Sequence, residues 1–210
     1  SAVLLALCAG GNRAAAAPAG SSGRIIRVGL HYGTGSMEGL NFANTTGEGF
    51  RFGYYDGNDR FVPLGSTGQK AISVVKTVNV YYGTFGGYTS YHSALAGAAV
   101  AVGEYHLQLP GSYATFAEAQ GAASAYQGGF PACIGGVFYS RIGNYTTREK
   151  AVEAQAALAA QGVEASLKGT TEYGISVVIT GTNTILFQYD DLGQGTGLGM
   201  EANAGGSTSR

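Results

Sequence analysis

A chain of 210 residues with a formal net charge of −1 and only 12% charged residues has no broad electrostatic pull toward nucleic acid. Its hydrophobic content of 45% is enough for a core, in one large domain or two small ones. With 36 glycines, 14 tyrosines and no stretch of the ~20 apolar residues needed to span a membrane as a helix, it reads as turn-rich and strand-rich, with polar aromatic surfaces.

Residues 1–23 begin with apolar Ala2 to Leu7, then Cys8, then Asn12-Arg13-Ala14 to Ala17. An apolar run followed by small residues resembles the back half of a secretory signal, so an exported protein is expected, without the residues before about Pro18 when mature. Leu7 is large for the residue preceding a lipidated cysteine, which argues against an anchor on Cys8. With Cys8 in a leader, Cys133 is expected to be a buried free thiol.

Residues 24–82 read as strands. Ile25-Ile-Arg-Val-Gly-Leu30 alternates, and Gly49-Phe-Arg-Phe-Gly-Tyr-Tyr55 runs into Asp56-Gly57-Asn58-Asp59, a strong hairpin signal. Arg60 to Leu64 and Ala71 to Val75 extend the β region. Residues 83–102, with Gly86-Gly87 and the Ala-rich Ala94 to Val102, read as a linker.

Residues 103–170 say the same thing twice. Tyr105-His-Leu-Gln-Leu-Pro-Gly-Ser-Tyr113 and Phe138-Tyr-Ser-Arg-Ile-Gly-Asn-Tyr145 each precede a Thr-led, alanine-rich run. Gly111 to Gly143, Tyr113 to Tyr145 and Ala119 to Ala151 share one offset, which marks a repeated supersecondary unit. Leu107 and Leu109 alternate with His106 and Gln108, and Phe138 and Ile142 with Tyr139 and Arg141, the period of a half-buried strand. Both helices are expected to start with a capping box, Thr115 with Glu118 and Thr146 with Glu149. Ala119, Ala122, Ala123 and Tyr126 share one helical face, and Ala151, Ala154 and Leu158 another; Gly128-Gly129 and Gly162 are the stops.

The pattern predicts an α+β fold containing a β-α-β-β-α-β module, inserted in or following a small, mostly β domain. Two helices cover one sheet face and leave His106, Gln108, Tyr139 and Arg141 on the other. In residues 171–191, Ile175 to Thr180 and Ile185 to Tyr189 form a hairpin. Gly174-Ile-Ser-Val-Val-Ile-Thr180 nearly copies Ala71-Ile-Ser-Val-Val-Lys-Thr77, so this hairpin is expected to return to the first β region. Residues 192–210 are Gly-rich and aperiodic and read as a flexible tail.

The two repeated segments resemble the signature segments of the sporulation-related repeat (SPOR) domain, over roughly a third of the chain. Pro110 is an extra residue before Gly111, Ser140 stands where an apolar residue is usual, and Tyr139 stands where Arg is common. Residues 24–75 resemble the opening of the stage II sporulation protein D and amidase-enhancer family, some members of which carry a SPOR-like insert. The resemblance implies an exported, cell-envelope protein that binds peptidoglycan glycan strands on the open sheet face. Gln108, Ser112, Tyr113, Tyr139 and Arg141 would belong to the site, with His106 beside them. That surface exists only if the pleat is wet; a further layer over it would remove it.

Few residues are free for catalytic chemistry. Glycan cleavage needs a positioned carboxylic acid, but Glu118 and Glu149 are assigned to caps, and Asp56 and Asp59 to a turn. Glu48 and Glu104 read as solvated. The resembling family's catalytic Glu lies in a segment for which this sequence has no counterpart, so no catalytic residue is assigned. His31, His92 and His106 share no metal-binding spacing, and Gly33-Thr-Gly35 lacks the context of a phosphate loop; neither metal nor cofactor is expected. Two alternatives remain: part of a lytic transglycosylase whose catalytic segment lies elsewhere, or single-stranded RNA binding on an aromatic sheet, which the near-zero charge and signal-like leader oppose.

Overall fold

The computed structural model describes residues 38–77, 79–93 and 99–203. The expectations for the leader, Cys8, Ile25 to Leu30, His31 and the Gly33–Gly35 turn lie outside them. In chain order the strands and helices are β1 (Gly39–Ala43), β2 (Phe50–Tyr55), β3 (Phe61–Thr67), β4 (Ala71–Lys76), β5 (Val80–Phe85), β6 (Tyr88–His92), β7 (Val100–Val102), β8 (Tyr105–Gln108), α1 (Phe116–Ala123), β9 (Gly129–Ile134), β10 (Val137–Tyr145), α2 (Arg148–Ala160), β11 (Ser166–Lys168), β12 (Ile175–Ile179), β13 (Ile185–Asp190) and β14 (Gly199–Ala202). The fold is α+β, with strands dominant.

β8 to β11 with the two helices form the expected β-α-β-β-α-β unit. Its strands lie in the order β9-β10-β8-β11, all neighbours antiparallel. Numbered within the unit, that is 4-1-3-2 read from the β11 edge. The duplicated glycines behave alike: Gly111 and Gly143 both have left-handed backbones, φ +85° and +75°, which a Cβ would strain. Leu107, Leu109 and Ile142 form the base on which Ala154 and Leu158 of α2 pack. Ala119 and Ala123 of α1 are buried against the neighbouring strands.

The unit's sheet does not end at β9. β13 pairs with β9 in parallel, β12 pairs with β13, and β4 and β1 follow, giving one eight-stranded sheet, β1-β4-β12-β13-β9-β10-β8-β11. The near-identical segments Ala71 to Thr77 and Gly174 to Thr180 become the adjacent strands β4 and β12, so the hairpin does return to the first β region. It also stitches that region to the repeat unit.

Two smaller sheets sandwich the large one. The first, β14-β2-β3, lies on the helix side. There Phe52 stacks on Phe187 of β13, centroids 5.4 Å apart and rings 9° from parallel, and Phe116 of α1 meets Phe187 edge-on. The second, β6-β5-β7, lies on the opposite side. Its Val80, Tyr91 and Val102 pack with Phe130, Ala132, Val178, Ile185 and Val75 of the large sheet.

Two expectations need correcting. The described residues of the expected linker 83–102 are strands: Gly86 and Gly87, both at positive φ, make the tight turn between β5 and β6, and Val100–Val102 adds β7 to β5. Val80 and Val102 oppose each other across β5 and β7 and point inward, with Tyr82 two residues on in β5, and the Tyr-rich sequence hid that period. Residues 192–210 are not all tail, because Gly199–Ala202 pairs with Phe50–Gly53 of β2. This strand is short, and Gly-rich sequence on both sides of it masks its β character.

Candidate functional site

Alternation along β8 and β10 works as the sequence implied. Leu107 and Leu109 face the helices, whereas Arg141 is the cross-strand partner of Gln108 on one side and Phe130 on the other. Directly opposed residues in a sheet share a face. Phe130 belongs to the cluster capped by β5, β6 and β7, so that small sheet roofs part of the pleat expected to be wet.

The polar residues under the roof are joined in a directed chain. Arg141 Nη1 donates to Gln188 Oε1 at 2.5 Å, and Arg141 Nε donates to Gln108 Oε1 at 3.2 Å. With its oxygen committed, the Gln188 amide turns its nitrogen toward His106 Nε2 at 2.8 Å and Ser176 Oγ at 3.3 Å. His106 Nε2 must then accept, so Nδ1 carries the proton and donates to the Gly143 carbonyl at 2.8 Å. Burial pushes the imidazole down to about 4, against the pull of the Gly143 bond, with the Arg141 charge acting in the same direction as burial. At neutral pH His106 is therefore uncharged, and its ring meets Phe130 edge-on.

The chain of bonds reports on sheet shape. In a flat sheet β8 and β13 would lie three spacings apart, about 14 Å. His106 and Gln188 bridge that gap at hydrogen-bond distance, so the sheet curls toward this face.

Arg141 is 3% exposed and His106, Gln188 and Ser176 are 0% exposed. Burial pulls the guanidinium down to about 10, opposed by the negative charge of Asp190. Asp190 is itself 1% exposed and accepts from Thr171 N at 2.9 Å, Thr171 Oγ1 at 2.8 Å and Leu192 N at 2.9 Å.

The six residues expected at the glycan site therefore do not form one surface. His106 and Arg141 are internal. Gln108 and Tyr139 are half-buried. Ser112 is exposed in the turn before α1, and Tyr113 packs against the Phe116 cluster on the helix side, its backbone bridged to Phe138. The physical reason is the sheet's extension: β13 and the β5–β7 sheet supply the layer and hydrogen-bond partners that an isolated β-α-β-β-α-β unit lacks. What remains open on the face is Gln108 and Tyr139, joined by Ser166 and Lys168. Ser166 pairs with Gln108 and Lys168 with His106, and both are exposed.

Gln188, Ser176 and Asp190 were missed. A signal was present: each interrupts an apolar strand at an inward position, in Ile175-Ser-Val-Val and Leu186-Phe-Gln-Tyr-Asp. Buried polar residues at such positions need partners. Cys133 is a free, buried thiol as expected, and burial pushes it up to about 11, far from a reactive thiolate. Among the described residues no group of His, Cys, Asp and Glu is arranged to hold a metal ion, and no helix is long and apolar enough to cross a membrane.

No family model matches the chain, and no curated protein or solved structure matches it.

Proposed function

We propose that this protein is a non-catalytic binder of peptidoglycan glycan strands, acting in the cell envelope after export. The observation that carries this is the repeat unit itself. Two segments that resemble the SPOR signatures fold as a β-α-β-β-α-β unit with both helices on one side, which turns the alternate residues of β8 and β10 to the other. The contact surface is smaller than the sequence suggested: Tyr139 as a stacking ring, Gln108 and Ser166 as hydrogen-bonding groups, and Lys168 at the rim. Aromatic rings with flanking amides and hydroxyls suit flat, hydroxyl-rich ligands, where a few placed polar groups set orientation.

The test is co-sedimentation of the purified protein with amidase-treated sacculi. Tyr139→Ala is the informative variant, because Tyr139 is half-buried and takes no part in the His106–Gln188–Arg141 chain. Binding lost while the circular dichroism spectrum stays unchanged is the expected result. Undiminished binding by Tyr139→Ala would exclude this face.

A further inference from the structure

On the helix side of the repeat unit, away from Tyr139, the ends of both helices meet at a groove of about 370 Å³. Leu109, Tyr126 and Val163 form its apolar floor, and Pro110 and Tyr113 line it from the turn between β8 and α1. Ala122 brings the last turn of α1 to it, and Gly162 the end of α2. Gly162 has a left-handed backbone, φ +78°. Its N–H donates to Ala159 O and the Val163 N–H to Leu158 O, both at 3.0 Å, which is the Schellman ending of a helix. That reversal sets Glu164 beside the C-terminal end of α2, in the wall of the groove.

The electrostatics of this place are one-sided. The last carbonyls of a helix carry partial negative charge and favour a cation. Neither helix has a basic residue in its last turn, and no Lys, Arg or His lines the groove. The one charged residue that does line it is an acid, the unfavourable sign at a helix C-terminus. Among the described residues the Glu164 carboxylate and the Tyr113 and Tyr126 hydroxyls have no hydrogen-bond or ion-pair partner.

We infer that this groove is a binding site for an alkylammonium group. The ammonium lies between Glu164 and the two helix ends, against the rings of Tyr113 and Tyr126, whose faces attract cations. The alkyl chain covers Leu109, Pro110 and Val163. The bound cation supplies the positive charge that both helix ends and Glu164 lack. A free amine and the side chain of a basic amino acid share this chemistry. Tyr139 and Gln108 lie on the opposite face, so amine binding here and glycan binding there can fail independently.

The whole chain is titrated with n-butylammonium, with Nα-acetyl-lysine methylamide as the residue-borne form, and with 1-butanol as the uncharged control. The ring resonances of Tyr113 and Tyr126 are followed by NMR. At least one ammonium probe should move both rings while 1-butanol leaves them in place, and the tighter of the two amines names the source. Glu164→Gln keeps the shape and removes the charge. It should weaken ammonium binding about fivefold, the size of one partly exposed charge contact. It should also raise the Tm of the free protein, because an unfavourable charge leaves a helix end. An equal response to n-butylammonium and 1-butanol, or unchanged ammonium binding by Glu164→Gln, overturns the inference. A lower Tm for that variant would show Glu164 to be structural and would do the same.

Discussion

At the residue scale, His106 is held in one protonation state by bonds that cannot be reversed one at a time. A protonated ring would present Nε2–H to the Gln188 amide nitrogen. Flipping that amide would turn its NH₂ toward Arg141, which is itself only a donor. The imidazole sits at about 4 in the folded protein, against ~6.5 in an unfolded chain. Because the folded value is the lower, the contribution of His106 to stability is complete above pH ~6.5 and is lost as pH falls toward 4. Between pH 7 and pH 4 the loss is about 3 kcal/mol. Urea unfolding at a series of pH values measures it, with His106→Asn as the reference. The wild type should lose about 3 kcal/mol more than the variant over that interval. Parallel pH profiles would show that the ring is not shut in by this network. The sequence placed His106 correctly on the side of β8 away from the helices. It could not show the ring to be neutral and enclosed, because the residues that do this, Gln188, Ser176 and Phe130, come from three other strands.

At the element scale the two helices began as near copies and ended with different caps. Thr115 caps α1 with the full reciprocal box, its side chain accepting from Glu118 N and the Glu118 side chain reaching back. At α2 the cap is Thr147, accepting from Lys150 N at 3.3 Å. The expected box of Thr146 with Glu149 does not form: the cap moves one residue on, and its N3 residue is Lys150, which has no acceptor to reach back. The carbonyl of Thr146 accepts from Asn79 Nδ2 at 3.0 Å, so this residue is tied to the start of β5 and the helix opens after it. The tandem Thr146-Thr147 offered both options to the sequence, and only a contact from a distant strand chose between them. Accordingly Thr147→Ala should cost ~1 kcal/mol, and Thr146→Ala, whose hydroxyl plays no part in the cap, should cost less than half of that. Chemical denaturation of the two variants decides it, and the reverse ranking would return the cap to Thr146. The same kind of long-range contact sets the tolerance of β3, where a Cβ added at Gly65 would lie 2.3 Å from the Phe116 ring. Helix α1 needs that absence of a side chain to lie against the β2–β3 pair.

At the scale of the whole molecule, the repeat unit was legible and its dependence on the rest was not. Period-two strands and Thr-led helices can be read in a window of about ten residues, and the duplicated glycines from one fixed offset along the chain. The parallel pairing of β13 with β9, the β5–β7 roof and the curl that brings Gln188 to His106 join residues far apart in the chain. No local periodicity encodes them. Their consequence is that residues 103–170, although a complete β-α-β-β-α-β unit, are not a self-sufficient domain. Cut free, the unit would leave β9 as an open edge, with pairing groups ready for another chain. It would expose Phe130 and Ala132, now buried against Val80, Val102 and Ile185. It would also take Gln188 and the roof away from Arg141 and His106 and open both to water, which replaces their lost bonds at a net cost of about 1 kcal/mol each. Against the ~5–15 kcal/mol that holds a typical domain together, those losses are decisive. The fragment 103–170 is therefore expected to show no cooperative thermal transition and to self-associate, whereas residues 38–203 unfold in one step. A sharp, concentration-independent transition in the fragment would mean that the eight-stranded sheet is two sheets in energetic terms, and that the roof contributes little to holding the polar chain in place.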